Sequence, residues 1–270
     1  MTHTFSRQET LERLRRQVRA LESPARPWGS VKMGSAEPYG LARGGVYEAV
    51  PAAYLDGPAA AGLVLGFAAM AMAQAPGGAL CLVGPGAEEF GAPYAPGLQR
   101  LGMDPSRLLF ARARTSAEAM AALEEAARTP GLSAVFGLAP ARVEEAAGRR
   151  LQRAAEAVGA FVALWRPFGA PVLSGARGRW LAAAAPSVRP AFAEEAGLRG
   201  RAAPPGPFRA KVQAQKGRSL GEDQIWEWRD AAHGFYRIAV VDRAAARDHE
   251  DGRRRSWRDQ EWWGAEAGCG

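Results

Sequence analysis

Residues Gly57-Pro58-Ala59-Ala60-Ala61-Gly62-Leu63-Val64 keep the G-x-x-x-x-G frame of a phosphate-binding loop. Leu63 and Val64 stand where such a loop carries its Lys and its Ser or Thr. Without the ammonium there is no point charge for the β- and γ-phosphates, and without the hydroxyl there is no protein ligand for Mg²⁺. The residues that could do nucleotide chemistry are therefore missing from the one place built for it. Spacing alone does not establish the loop, because 32 of 270 residues are Gly and the frame recurs at Gly29/Gly34, Gly40/Gly45, Gly86/Gly91 and Gly97/Gly102. None of these is followed by Lys, and the chain's lysines are Lys32, Lys211 and Lys216. A small-residue turn opening a helix packed closely on a sheet satisfies the same pattern.

Other chemistries find less support. His3, His233 and His249 are not at metal-ligand spacing, and there is no G-x-S-x-G nucleophile elbow. Cys81 lies in an apolar run and Cys269 is penultimate, so the two suggest neither a disulfide framework nor a C-x-x-C metal pair. Paired acids at Glu88/Glu89, Glu124/Glu125 and Glu144/Glu145 read as solvated helix faces. Glu88 and Glu89 alone follow an apolar strand, where an acid could orient water. The expectation is no catalytic residue, no metal and no cofactor.

The elements around the frame alternate. Val46–Val50, Ala79–Val83, Leu108–Ala111, Ser133–Phe136, Phe161–Trp165 and Arg179–Ala185 read as strands. Between them, Ala59–Gln74, Thr115–Arg128 and Arg142–Val158 read as helices, the second opened by the capping box Thr115-Ser116-Ala117-Glu118. Short continuous apolar runs alternating with longer helices predict an α/β fold with a mostly parallel sheet covered on both faces. From Phe208 to Gln215 the pattern has period 2, and with Ile225–Trp228 and Phe235–Val241 it predicts a small antiparallel meander.

Both ends differ from this core. Ser6-Arg7-Gln8-Glu9 is a second capping box, followed by Leu11, Leu14, Val18 and Leu21 at helical spacing among arginines. The domain reading is an amphipathic helix over 1–24, a linker over 25–43, a core over 44–190, an antiparallel extension over 191–245 and a flexible tail over 246–270. The tail carries Arg253, Arg254, Arg255, Trp257, Trp262 and Trp263. Arg with Trp is the composition of protein-interface anchors, and also of single-strand nucleic-acid binders. Acids at Asp248, Glu250, Asp251, Asp259, Glu261 and Glu266 blunt phosphate attraction there, which leaves protein contact as the preferred reading. A formal net charge of +7 permits an acidic partner without demanding one. Reduced cysteines and the lack of an apolar signal core predict a cytoplasmic protein without membrane contact.

The order strand, Gly57–Gly62, helix, strand resembles the start of a RecA-type ATPase core. The stretch Tyr94-Ala95-Pro96-Gly97-Leu98-Gln99-Arg100-Leu101-Gly102-Met103-Asp104-Pro105-Ser106-Arg107-Leu108-Leu109 is similar to RecA-type chains in the same place. Arg149-Arg150-Leu151-Gln152-Arg153-Ala154-Ala155-Glu156, Arg177-Gly178-Arg179-Trp180 through Ser187, and the Trp226-Glu227-Trp228 strand resemble the ImuA family. That family is RecA-like and distantly similar to the division inhibitor SulA. The resemblance covers residues 6–245 and implies a RecA-like core with a degenerate nucleotide loop at Gly57, Gly62, Leu63 and Val64. It implies an accessory role in damage-inducible mutagenic translesion synthesis. The partners it implies are an ImuB-like Y-family-related protein, RecA and an error-prone replicative-type DNA polymerase, with DNA contact weak or indirect. Leu11, Leu14, Val18, Leu21 and the Arg/Trp tail are the candidate partner contacts. A residual ATPase, a single-strand binder and a SulA-like inhibitor remain the alternatives.

Overall fold

Runs of small and β-branched residues, apolar on both sides of the backbone, form strands only where helices cover both faces of the sheet. The computed structural model describes residues 29–32, 34, 41–75, 77–84, 94–188, 207–216 and 223–238. The candidate contacts at Leu11, Leu14, Val18 and Leu21, those from Arg253 to Trp263, and Glu88 and Glu89 lie outside the described residues.

In chain order the strands are β1 (Ser30–Val31), β2 (Leu41–Ala42), β3 (Gly45–Pro51), β4 (Gly78–Val83), β5 (Leu108–Arg112), β6 (Leu132–Leu138), β7 (Phe161–Trp165), β8 (Gly178–Ala184), β9 (Arg209–Lys216), β10 (Gln224–Arg229) and β11 (Gly234–Ile238). The helices are α1 (Gly57–Ala73), α2 (Ala95–Arg100), α3 (Ser116–Arg128) and α4 (Glu145–Val158). Among the described residues nine strands form one sheet, in the order β11-β10-β9-β8-β3-β7-β6-β4-β5. From β8 to β5 all neighbours are parallel, whereas β9 is antiparallel to both β8 and β10. The predicted α/β class with a mostly parallel sheet is the observed one.

Two apolar layers enclose the sheet. Helix α1 packs with Tyr47, Ala49, Phe136, Phe161, Trp180, Trp226 and Phe235 on one face, and α3 and α4 cover Val46, Val135, Val162 and Leu164 on the other. By length and composition α1 with its preceding turn could cross a membrane, but most of it is buried inside this core. The antiparallel extension continues the same sheet rather than standing apart. Phe67 of α1 meets Trp180, Trp226 and Phe235 with ring centroids 5.3, 6.3 and 5.9 Å away. Aromatic edges on faces at such distances add to the area they bury.

The stretch read as a linker over 25–43 holds β1 and β2, which pair antiparallel and bury Val31 and Leu41 in the α1-side layer. The Lys32 amide donates to Gln74 Oε1, and Gln74 Nε2 donates to the Lys32 carbonyl, each at 2.7 Å. The Gly- and Pro-rich composition hid a ribbon whose apolar residues are too few to show a period.

The small residues of α1 have a packing reason. A Cβ built at Gly62 would lie 2.4 Å from the Phe208 ring, and one at Gly66 would lie 2.4 Å from the Phe235 ring. Rings from the extension thus rest against the bare backbone of α1. Gly62→Ala and Gly66→Ala should each lower stability by about 1–3 kcal/mol through overpacking, despite the roughly 1 kcal/mol of helix propensity that Ala gains. Gly57→Ala, whose Cβ would meet Trp165 at an ordinary 3.5 Å, is the control that should be tolerated. Urea unfolding of the three variants decides it, and stabilisation by Gly62→Ala or Gly66→Ala would contradict the packing account.

Candidate functional site

In an open parallel sheet the carboxyl ends of the strands, where connections diverge to opposite faces, are the usual binding edge. Here β3 is followed by α1 on one face, while β6 is followed by α4 on the other. At this edge the chain leaves β3 through Ala52, whose amide donates to the Ala182 carbonyl at 2.7 Å. A single 3₁₀ turn, Tyr54–Asp56, then leads into α1.

The Gly57–Gly62 frame is not a loop: Gly57 has φ −47° and ψ −48° and opens the helix, so Gly62 lies more than a turn inside it. Leu63 and Val64 are buried core residues, 0% and 2% exposed. Asp56 occupies the residue before the helix and is itself buried. Its Oδ2 accepts from the Ala53 amide at 3.1 Å and its Oδ1 from the Ala184 amide at 2.9 Å, tying the turn to the end of β8. Helix N-termini attract anions through their free N–H groups and dipole. Here a carboxylate already sits beside that end, and Pro58 removes one of the donors. The same turn leaves Tyr54 and Leu55 75% and 66% exposed.

Beneath this edge lies a cluster of three buried charges. Glu48, in the middle of β3, is 0% exposed, and Arg166 and Arg179 are nearly as buried. Arg166 Nη1 donates to Glu48 Oε2 at 2.8 Å, and Arg179 Nη1 donates to Oε1 at 3.0 Å. The Leu173 amide also donates to Oε1, at 3.0 Å. The other guanidinium nitrogens donate to the carbonyls of Pro140, Ala141 and Ala170 and to Gln215 Oε1, at 2.7–3.0 Å. Burial pulls the Arg166 guanidinium below its ordinary range, Glu48 pushes it back, and Arg179 adds to the lowering. Two cations share one anion, so the polar carbonyls around them carry part of the compensation. Three strands and the β6–α4 and β7–β8 connections are thereby fixed to one carboxylate.

Cys81 and two cations of β9 are accounted for by their surroundings. Desolvation raises the Cys81 thiol to about 12, which keeps it protonated and unreactive at neutral pH. In the basic β9 region, Arg209 Nη2 lies 2.6 Å from Glu227 and Lys211 Nζ 2.8 Å from Asp223, so carboxylates of β10 and its approach neutralise these cations across the strands.

The fold and this edge define an α/β protein whose strand ends are tied by buried carboxylates. No protein-family model matches the chain. It is 36% identical over 169 residues to Protein ImuA of Caulobacter vibrioides, in each of two strains, a match covering 58% of this chain and 64% of those relatives. The match supports the resemblance to the ImuA family read from the sequence. The chain thus aligns with a little under two thirds of the length of the curated relatives it matches.

Sequence reasoning missed Glu48, Asp56, Arg166 and Arg179. The signal was present in Val46-Tyr47-Glu48-Ala49-Val50, where one acid interrupts an apolar strand and must find a buried partner. Glu48→Gln keeps the shape but leaves two guanidiniums without a counter-charge, so it should cost about 3–5 kcal/mol in urea unfolding. Glu145→Gln, which loses an exposed pair with Arg149 on α4, is the comparison. Equal effects of the two substitutions would contradict the role given to Glu48.

Proposed function

We propose that this protein is a non-catalytic accessory factor in damage-inducible mutagenic translesion DNA synthesis, working in the cytoplasm by binding protein partners. The observation that carries the non-catalytic part is the entrance to α1. There the glycine frame is helical, Leu63 and Val64 are core, and the residue before the helix is the buried Asp56, a carboxylate rather than a cation. The similarity to Protein ImuA supports the cellular role.

On this reading the chain is a RecA-like scaffold that joins an ImuB-like Y-family-related protein, RecA and an error-prone replicative-type polymerase. Contacts run through the amino-terminal apolar stripe Leu11, Leu14, Val18 and Leu21 and through Arg253, Arg254, Arg255, Trp257, Trp262 and Trp263. The pairing of Arg209 and Lys211 with acids favours protein over nucleic acid as the direct ligand.

Purified chain, an ImuB-like protein and RecA, mixed and captured through an affinity label, provide the test. Deleting residues 1–24 should weaken capture while sparing the core's melting transition. Changing Trp257, Trp262 and Trp263 to Ala should lower affinity about tenfold or more, as expected for lost aromatic anchors, with the melting temperature nearly unchanged. Failure of the parent chain to capture either partner would overturn the adaptor reading. Loss of single-strand DNA binding in the Trp variant, with partner capture intact, would replace it with the nucleic-acid reading.

A further inference from the structure

Among the described residues, strand β5 ends the large sheet and pairs with β4 alone, from Ala79 opposite Leu108 to Val83 opposite Arg112, without a bulge. Edge strands present unpaired N–H and C=O groups, and stable proteins blunt them with Lys, Pro, bulges or short length. Here Leu-Leu-Phe-Ala-Arg carries no Pro and no bulge, and its one charge, Arg112, comes at the strand's last residue. Leu109 and Phe110 are 58% and 53% exposed. Successive strand residues point to opposite faces. Leu108 joins the α1-side layer and Ala111 packs on the α3/α4-side layer. Leu109 and Phe110 therefore open apolar surface on both faces of the same edge. A docked helix would cover one of these side chains. An added strand covers both, while its backbone satisfies the edge.

We infer that the β5 edge is a strand-addition site for an extended, acidic-apolar segment of a partner protein. The inference deepens the adaptor reading and rests on it in that the ligand is a protein. Charge selects the occupant. Arg112 shares the Phe110 face of the strand, Arg114 follows it, and both are exposed. A second copy pairing antiparallel about Phe110 would set each Arg107 between Arg112 and Arg114 of its mate, with +7 on each chain. A segment with adjacent apolar residues and flanking carboxylates meets both requirements, since opposite charges and apolar pairs across neighbouring strands stabilise the pairing.

The probe is a short fluorescein-labelled peptide with a central Ile-Val-Val run flanked by glutamates, titrated into the full chain by anisotropy and followed by hydrogen exchange. It should protect amides of residues 108–112 and bind about tenfold or more tighter than the same peptide with lysines. Phe110→Asp should abolish binding. Should that variant not fold, N-methylation of the peptide's central amides should abolish binding to the parent instead. No protection at millimolar peptide, or equal binding of the lysine peptide, would overturn the proposal, as would a concentration-dependent dimer of the parent that Phe110→Asp dissolves. Capture of the purified partners by folded Phe110→Asp separates the two readings. Capture lost with peptide binding supports the edge as partner site, and capture retained overturns it while the adaptor reading stands. A parent chain that captures no partner overturns the adaptor reading whatever the peptide does.

Discussion

The sheet is organised around one carboxylate. Glu48 sits in the middle of β3 with no access to water and holds two guanidiniums and one backbone amide. Burying three charges costs several kcal/mol per ion, and their mutual attraction offsets this only when every donor is satisfied. That condition dictates much of the surroundings. Arg166 must reach the carbonyls after β6, and Arg179 must reach Ala170 and Gln215. The β7–β8 connection has to fold back so that Leu173 meets the same oxygen. An apolar triad would stabilise the core as well, but it would not direct irregular connections to fixed positions. The polar version does so at the edge where α/β sheets bind ligands.

A second carboxylate finishes that edge. Asp56 fastens the turn before α1 to β8, and the helix then runs over the sheet with glycines where rings of the extension meet it. The two features have one consequence. The surface at the head of α1 is tied to β8 through the buried Asp56 and is apolar where Tyr54 and Leu55 emerge. Phosphate binding needs free amides and a cation, whereas contact with a protein needs exposed apolar side chains on a fixed backbone. The β5 edge, at the far side of the sheet, meets the second need in another way.

Much of this architecture was legible in the residues. Strands such as Phe161–Trp165 are continuous apolar runs bounded by Gly or Pro, and Thr115 caps α3 through a hydrogen bond from the Glu118 amide, as the capping box predicts. Period 2 from Phe208 onward matched burial of Ala210, Val212 and Ala214 with Arg209, Lys211 and Gln213 turned toward the surface. What was not legible depended on distant partners. Gly62 looked like part of a turn because its ring neighbour, Phe208, is far along the chain. Glu48 and Arg166 are separated by 118 residues, so no spacing announces the pair. The ribbon of β1 and β2 has two residues per strand, too short for any periodicity.

The proposed non-catalytic reading turns on the head of α1, where the Asp56 carboxylate anchors the turn to β8 and no cation accompanies it among the described residues of the turn. Calorimetric titration of the full chain with ATP and Mg²⁺ tests it most directly. The account predicts no binding heat at physiological nucleotide concentration, and none is restored by Asp56→Ser. Micromolar affinity that depends on Mg²⁺ would contradict it.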